Sequence, residues 1–415
     1  MSNDKRSEMT APATHAEPRL RRSLTLPLLT LYGIGVTVGA GIYVLIGAVA
    51  SHAGIHAPLA FVMAAIVMGL TVASYAELCA RYPVAAGEAA YVRAAFHRRW
   101  ISTLTGLAMI GAGIVATATV AIGSAGYIAQ FVDLPQAVIT TAVIVCLAMV
   151  TAWGVLESVL LACIFTVIEV SGLVMIVAAA WHADLPIGSS LFAMPTASFA
   201  QWSGIGFAGL LAFFAFTGFE DLTNMAEETR EPERNVPIAM AVTLVVTTGL
   251  YVLIAATAVV ALPIDRLAAS PAPLSLLFAE VAGISPAAIS AIAIVATLNT
   301  IIAQMTMAIR VVYGLADQGD LPRVLAQVHR KTSTPLLATA VIAILALCLA
   351  LVAPFEKLAE ATSLATLFVF ALVNLALIKI RLGKAKPAPS ILTVPLVIPV
   401  LGLLTCLAMA AISAL

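Results

Sequence analysis

Between Ser23 and Glu77 the chain meets no Asp, Glu, Lys or Arg, and uncharged stretches of this kind recur down its length. Residues 100–132, 135–156, 236–264, 281–309 and 387–415 are further examples. Each exceeds the roughly 18 apolar residues that mark a helix able to span a bilayer. The pattern predicts eleven crossings, near 25–50, 58–80, 100–131, 136–153, 158–180, 204–227, 236–262, 283–314, 335–353, 359–381 and 391–414. Pro58, Pro237 and Pro335 fall at or near predicted starts, where a missing N–H costs least.

Two crossings do not read as continuous helices. The first holds Gly33, Gly35, Gly39 and Gly41, and glycine costs a helix roughly 1 kcal/mol per residue relative to alanine. The sixth runs Phe213-Phe214-Ala215-Phe216-Thr217-Gly218-Phe219 and then meets Glu220 and Asp221, too early for a plain span of about 20 residues. Backbone groups freed within a bilayer need other partners, from a neighbouring helix or a bound solute. Two half-helix ends facing each other offer N–H groups to a carboxylate and C=O groups to an amine. An α-amino acid carries both groups on one carbon.

Lys and Arg set the orientation. With the N-terminus inside, the alternation puts 19 of them on the inner side and only Arg266 and Lys357 outside, a strong positive-inside asymmetry. Gly39 and Gly218, the two interruptions, lie 179 residues apart. Five crossings per half means the second copy enters from the opposite side, the signature of an inverted repeat. The predicted organisation is a polar tail over 1–22, a first five-helix repeat over 23–182, a second, inverted repeat over 183–382 and an added helix over 383–415.

Composition agrees with this pattern. The chain is 62% apolar and 10% charged, against about 25% charged in soluble domains. Its zero net charge gives no electrostatic basis for nucleic-acid binding. Cys79, Cys146, Cys163, Cys348 and Cys406 lie in or beside apolar segments without a CxxC pair, and read as small buried hydrophobes. All six histidines fall in predicted tails or loops, so no metal site and no cofactor is expected. Nor is an enzyme: there is no HExxH and no intramembrane histidine. Residues 1–22 lack an apolar core with a small-residue cleavage site, and no removed signal peptide is expected.

At these residues a family pattern enters. Gly39-Ala40-Gly41-Ile42-Tyr43 resembles the first-helix motif of the amino acid–polyamine–organocation transporter superfamily. Tyr75-Ala76-Glu77-Leu78, with Tyr82-Pro83 and Ala86-Gly87, is similar to its stretch after the second helix. Phe214 to Glu220, followed by Ala226-Glu227-Glu228, Pro232, Arg234 and Pro237-Ile238-Ala239, resembles its sixth helix and following loop. Arg310, Tyr313-Gly314-Leu315-Ala316, Gly319 and Pro322 are similar to the end of its eighth helix. The resemblance implies an all-α polytopic membrane protein of the leucine-transporter type, a 5+5 inverted repeat with helices 1 and 6 broken. An eleventh helix is added where most members have twelve crossings. It also implies that Thr37, Gly39, Ala40 and Gly41 meet a substrate carboxylate through backbone groups. Phe214, Phe216 and Thr217 would meet the amine through carbonyls and close the site with aromatic bulk.

Individual residues carry two readings each. The glycine run fits close helix packing through Gly35-xxx-Gly39, or a binding break paired with Gly218. Glu169, midway along the fifth crossing, is a candidate proton carrier or a protonated glutamate bonded to a neighbouring helix. Glu220 could sense protons or hold the break in shape. Thr297, Asn299 and Gln304 would be a thin basis for a sodium site, so proton coupling is preferred over sodium. The expectation is a plasma-membrane permease for amino acids or related amines, proton-coupled, with the N-terminus cytoplasmic and the C-terminus outside. A substrate exchanger and a non-transporting amino acid sensor are the alternatives.

Overall fold

The computed structural model describes residues 23–82, 87–153, 159–332, 334–383 and 392–414. The expected tail over 1–22, and Pro83 and Ala86 of the second motif, lie outside the described residues. Those described form helices and connecting turns, with one isolated parallel bridge between Leu24 and Thr229.

The first apolar run folds as α1 (Leu26–Val38), α2 (Gly41–Ala53) and α3 (Ala57–Arg81). A short α4 (Gly87–Phe96) leads to α5 (Arg99–Ile128), α6 (Gln136–Trp153) and α7 (Val159–His182). Then come α8 (Gly188–Leu191), α9 (Phe199–Phe214), α10 (Asp221–Asn224) and α11 (Pro232–Ala261). The short α12 (Ile264–Ala269) and α13 (Pro273–Ala282) precede α14 (Ala287–Asp317), α15 (Leu336–Val352), α16 (Phe355–Leu382) and α17 (Val397–Ile412). Among the described residues seven stretches are long and apolar enough to cross a membrane: Gly41–Arg81, α5, α6, α7, α11, α14 and α16. The other apolar helices, α1, α9, α13, α15 and α17, have 10–17 residues each.

Three expectations need correcting. Helix α11 begins at Pro232, which takes its first turn, so Pro237 lies inside the helix rather than at its start. The cost is limited because Pro237 comes early, where its missing N–H removes one bond. Helix α2 runs on to Ala53, which puts His52 in its last turn, α7 likewise takes in His182, and His56 is buried in the 3₁₀ turn after α2 rather than in an open loop. Cys146 and Cys348 are exposed on outward faces, while Cys79, Cys163 and Cys406 are buried. An apolar thiol facing lipid loses nothing by exposure, so burial does not follow from its apolar neighbours.

The bundle carries its polar side chains inward. Tyr43, Tyr75, Tyr91, Tyr127 and Tyr251 are fully buried, while Val245, Val352, Trp153 and Trp181 are exposed. A buried Tyr brings a hydroxyl that needs a partner, and those of Tyr43, Tyr127 and Tyr251 stitch helices that are distant in sequence. Tyr127 donates to the Tyr43 carbonyl (2.6 Å), and Tyr43 donates to the Glu169 carbonyl (2.6 Å). Helix α16 is fixed to α3 by Asn374, which donates to Thr71 Oγ1 (3.0 Å) and accepts from Ser74 (2.7 Å). Gly402 of α17 presses on that amide: a Cβ there would lie 2.6 Å from Asn374 Oδ1. At the base of α3, fully buried Glu77 accepts from Arg81 Nε (2.9 Å), Arg381 Nη1 (3.0 Å) and the Val394 amide (2.8 Å). Where the chain enters α1, the Leu24 amide donates to the Glu228 carbonyl (3.0 Å). The Arg230 amide returns a bond to the Leu24 carbonyl (2.9 Å).

Candidate functional site

Helix α1 ends at Val38 and α2 begins at Gly41, with Gly39 at φ 25°, ψ −138° between them. That backbone is one few side-chain-bearing residues adopt. Helix α9 stops at Phe214, and tight i→i+3 bonds carry the chain through residues 215–217. Gly218, at φ 111°, follows before the single turn α10.

The two interruptions lie against each other. A Cβ on Gly41 would come within 2.4 Å of Ala215 Cα, and one on Gly218 within 2.4 Å of the Val36 carbonyl. Glycine is therefore required at both places by close approach. Tyr251, from α11, spans the junction: its hydroxyl lies 2.8 Å from the Thr37 carbonyl, 3.3 Å from Val38 and 2.7 Å from Ala215. A phenol has one hydrogen, so it serves one of these carbonyls at a time and leaves acceptor capacity on both segments. Across the junction, the Ala40 amide donates to Thr300 Oγ1 of α14 (2.9 Å).

The residues singled out from sequence fall here. Thr37, Gly39, Ala40 and Gly41 form the α1–α2 junction and are buried. Phe214, Phe216 and Thr217 form the second junction. The Phe216 ring packs on Tyr251 with centroids 5.0 Å apart. The Phe214 carbonyl accepts from the Thr217 amide (3.1 Å) and hydroxyl (2.8 Å), which occupies it within its own turn. Helix α2 presents the first-turn amides of Gly41, Ile42 and Tyr43, which have no acceptor four residues back. These and the macrodipole favour an anion at this end.

The two candidate carboxylates occupy different places. Glu220 accepts from the Gly218 amide through Oε2 (2.8 Å) and so braces the turn. Glu169 is fully buried, with Asn299 Nδ2 3.5 Å from its Oε1. On the same helix, Thr166 faces Gly35 of α1, where an added Cβ would collide with its Oγ1. Thr297 is turned towards α5, where it donates to Ser124 Oγ (3.0 Å). Asn299 and Gln304 line a cavity of about 10 Å³ beside Gly35, Val36, Thr166, Asp221 and Thr300. A second cavity, of about 30 Å³, lies between α5, α14, α16 and the second interruption, with Glu88, Thr217, Glu220, Gln304 and Thr366 among its lining. Both hold water-sized space only.

Sequence reasoning missed Tyr251, Thr300, Thr166 and Glu88. Only Glu88 carried a signal, a carboxylate directly after Gly87 of the second motif. It lies in α4, outside the spans, buried, with Tyr75 donating to its Oε1 (3.1 Å). Burial pushes its carboxyl up to about 7, an effect partly offset by hydrogen bonds from its own backbone and from Tyr75. Among the described residues no group of three or more His, Cys, Asp or Glu side chains is placed to hold a metal.

A multi-pass helical chain with two apposed helix interruptions at its centre defines a class of membrane protein rather than a soluble binder. The chain belongs to the amino acid permease family, whose model matches residues 24–415. It is 28% identical to the branched-chain amino acid permease BcaP of Bacillus subtilis over 95% of this chain and 89% of that protein. It is also 28% identical to the cationic amino acid transporter 4 of Homo sapiens and to the vacuolar cationic amino acid transporter 2 of Arabidopsis thaliana. Each of these alignments covers 90% of this chain and 62% of the relative. The chain thus spans less than two thirds of those two longer transporters. The family and these relatives are permeases and transporters, not enzymes, and the protein is a multi-pass membrane protein.

Proposed function

We propose that this protein carries amino acids or related amines across the plasma membrane by alternating access, as a proton-coupled symporter. On this reading residues 23–182 and 183–382 are the two inverted repeats of a leucine-transporter-type 5+5 fold. The region 383–415 adds an eleventh helix. The substrate carboxylate meets the α2 N-terminus through Thr37, Gly39, Ala40 and Gly41. Its amine meets the carbonyl-rich turn formed by Phe214, Phe216 and Thr217, where Phe216 and Thr217 offer more than the occupied Phe214 carbonyl.

One observation carries the reading: the two helix interruptions are in direct contact, with Tyr251 reaching carbonyls of both. A helix pair held this closely only for packing would not need to expose main-chain donors on one side and acceptors on the other. The small cavities beside it must widen to admit a solute, as alternating access requires. Glu169 and Glu220 are the candidate proton carriers, in a setting where an ionised carboxylate is costly. The permease names of the relatives support the substrate class, and the Lys and Arg asymmetry supports a cytoplasmic N-terminus and an external C-terminus.

Uptake of labelled amino acids into proteoliposomes holding the purified chain tests the proposal. A pH gradient, acid outside, should drive accumulation, and Glu169→Gln should abolish that drive while leaving substrate binding. Accumulation only against preloaded substrate would make the protein an exchanger. Binding without flux would make it a sensor.

A further inference from the structure

The larger cavity carries chemistry that the backbone site does not use. Thr217 belongs to the second interruption and also lines this cavity, so the cavity is continuous with the proposed main-chain site. Beyond Thr217 its wall holds two carboxylates, Glu88 from α4 and Glu220. Each gives one oxygen to a protein donor: Glu88 Oε1 to the Tyr75 hydroxyl, Glu220 Oε2 to the Gly218 amide. Among the described residues no Lys, Arg or His lines this cavity or its neighbour, and the neighbour adds a third carboxylate, Asp221. Gln304 lines both spaces.

A second, independent feature points to a guest. Thr366 of α16 is 6% exposed and lines the cavity, and its hydroxyl has no hydrogen-bond partner among the described residues. Threonines inside helices usually return their hydroxyl to a carbonyl of the preceding turn, as Thr362 does with Leu358 (3.0 Å). An unpartnered hydroxyl that opens into a cavity is available to bond whatever enters it. Carboxylates that close in a water-poor space are costly without a positive partner. The rest of the wall is Met109, Ala112, Ala116, Met307, Val369 and Phe370. That surface suits a methylene stem ending at the polar cluster.

We infer that the side-chain pocket selects an amino acid ending in an ammonium or guanidinium group, received by Glu88 and Glu220 with Thr366 as a hydrogen-bond partner. This inference rests on the permease reading and sharpens its substrate class. A cation on a flexible apolar stem fits the lining at both ends. A branched aliphatic side chain would leave the carboxylates, Gln304 and Thr366 unanswered, and a site with unpaired buried polar groups rejects such a ligand strongly.

The test is a ranking by the intact protein. Labelled L-lysine, L-arginine, L-leucine and L-glutamate are presented one at a time to proteoliposomes containing the full chain. Binding to the detergent-purified protein is read in parallel. Lysine or arginine should exceed leucine by about tenfold or more in uptake efficiency, and glutamate should not be carried. The preference should fall to within about threefold in Glu88→Gln and in Glu220→Gln, with Thr366→Val weakening lysine binding less than either. The wild-type ranking needs no variant, so a misfolded mutant does not leave the question open. Leucine carried as well as lysine overturns this inference and leaves the permease reading standing. Cation preference that survives both carboxylate variants overturns the assignment to this pocket. No flux and no binding for any amino acid overturns both readings.

Discussion

Tyr251 shows how much one side chain can decide. Its hydroxyl lies within bonding distance of main-chain carbonyls on both interruptions, 36 and 214 residues earlier in the chain. Removing only that oxygen, in Tyr251→Phe, leaves the ring against Phe216 and Phe61. Loss of a buried hydrogen bond costs about 1–3 kcal/mol. Transport should fall by an order of magnitude or more, since the two segments lose their shared anchor, and the thermal midpoint in detergent should drop by a few degrees. Full transport by this variant would mean the hydroxyl does not register the segments. Gly41→Ala is harsher, because the new methyl group meets Ala215 backbone, which cannot rotate away. Overpacking of that kind costs roughly 1–3 kcal/mol, and binding of any substrate should be lost with it. The glycines were legible in the sequence because a helix with four of them announces itself. Tyr251 and Thr300 were not, since a tyrosine and a threonine inside apolar runs look the same whether they face lipid, a core or a site.

At the scale of elements, the long helices follow the uncharged runs closely, as they must when the solvent is hydrocarbon and every backbone group has to be satisfied within the segment. Where the reading fell short, the segments were short. Helices α4, α12 and α13 have 10, 6 and 10 residues, too few for a periodic signal to separate from a loop. The seat of α17 was equally invisible, because the Asn374 amide that Gly402 packs on is held by Thr71 and Ser74, ordinary polar residues some 300 positions away. That cluster makes a prediction. Gly402→Ala drives a methyl group into the Asn374 amide, and should lower the thermal midpoint while leaving substrate affinity near wild type, because α17 does not line either cavity. At the base of α3, Glu77→Ala leaves Arg81 and Arg381 facing each other without their shared anion. Breaking a buried ion network from one side costs about 3–5 kcal/mol, so recovery of folded protein from membranes should fall sharply.

For the molecule as a whole, acidity is a further lever on stability. Glu88 has its carboxyl raised to about 7 by burial, against roughly 4.3 in an unfolded chain. Between those values the folded form holds a proton that the unfolded form has released, so stability is greatest on the acid side and declines as pH rises through the window. Thermal midpoints in detergent should therefore fall from pH 5 to pH 8. Glu88→Gln, which stays neutral, should flatten that part of the curve; an unaltered slope would show that other groups set it.

The main-chain bridge at Leu24 has a mechanical corollary. Two amide bonds fasten the entrance of α1 to the strip behind α10, so one half of each interrupted segment is clipped to the other; under the proposed alternating access they would swing as a single lever. The clip itself uses no side chain, so an exchange of the buried Leu24 for Ile or Met keeps both main-chain bonds. Only an imino acid, in Leu24→Pro, strips the donor away. That replacement leaves only the Arg230 amide bond to the residue-24 carbonyl, and on the proposed mechanism it should loosen the coupling of the two halves, read as faster leak of labelled amino acid from preloaded proteoliposomes.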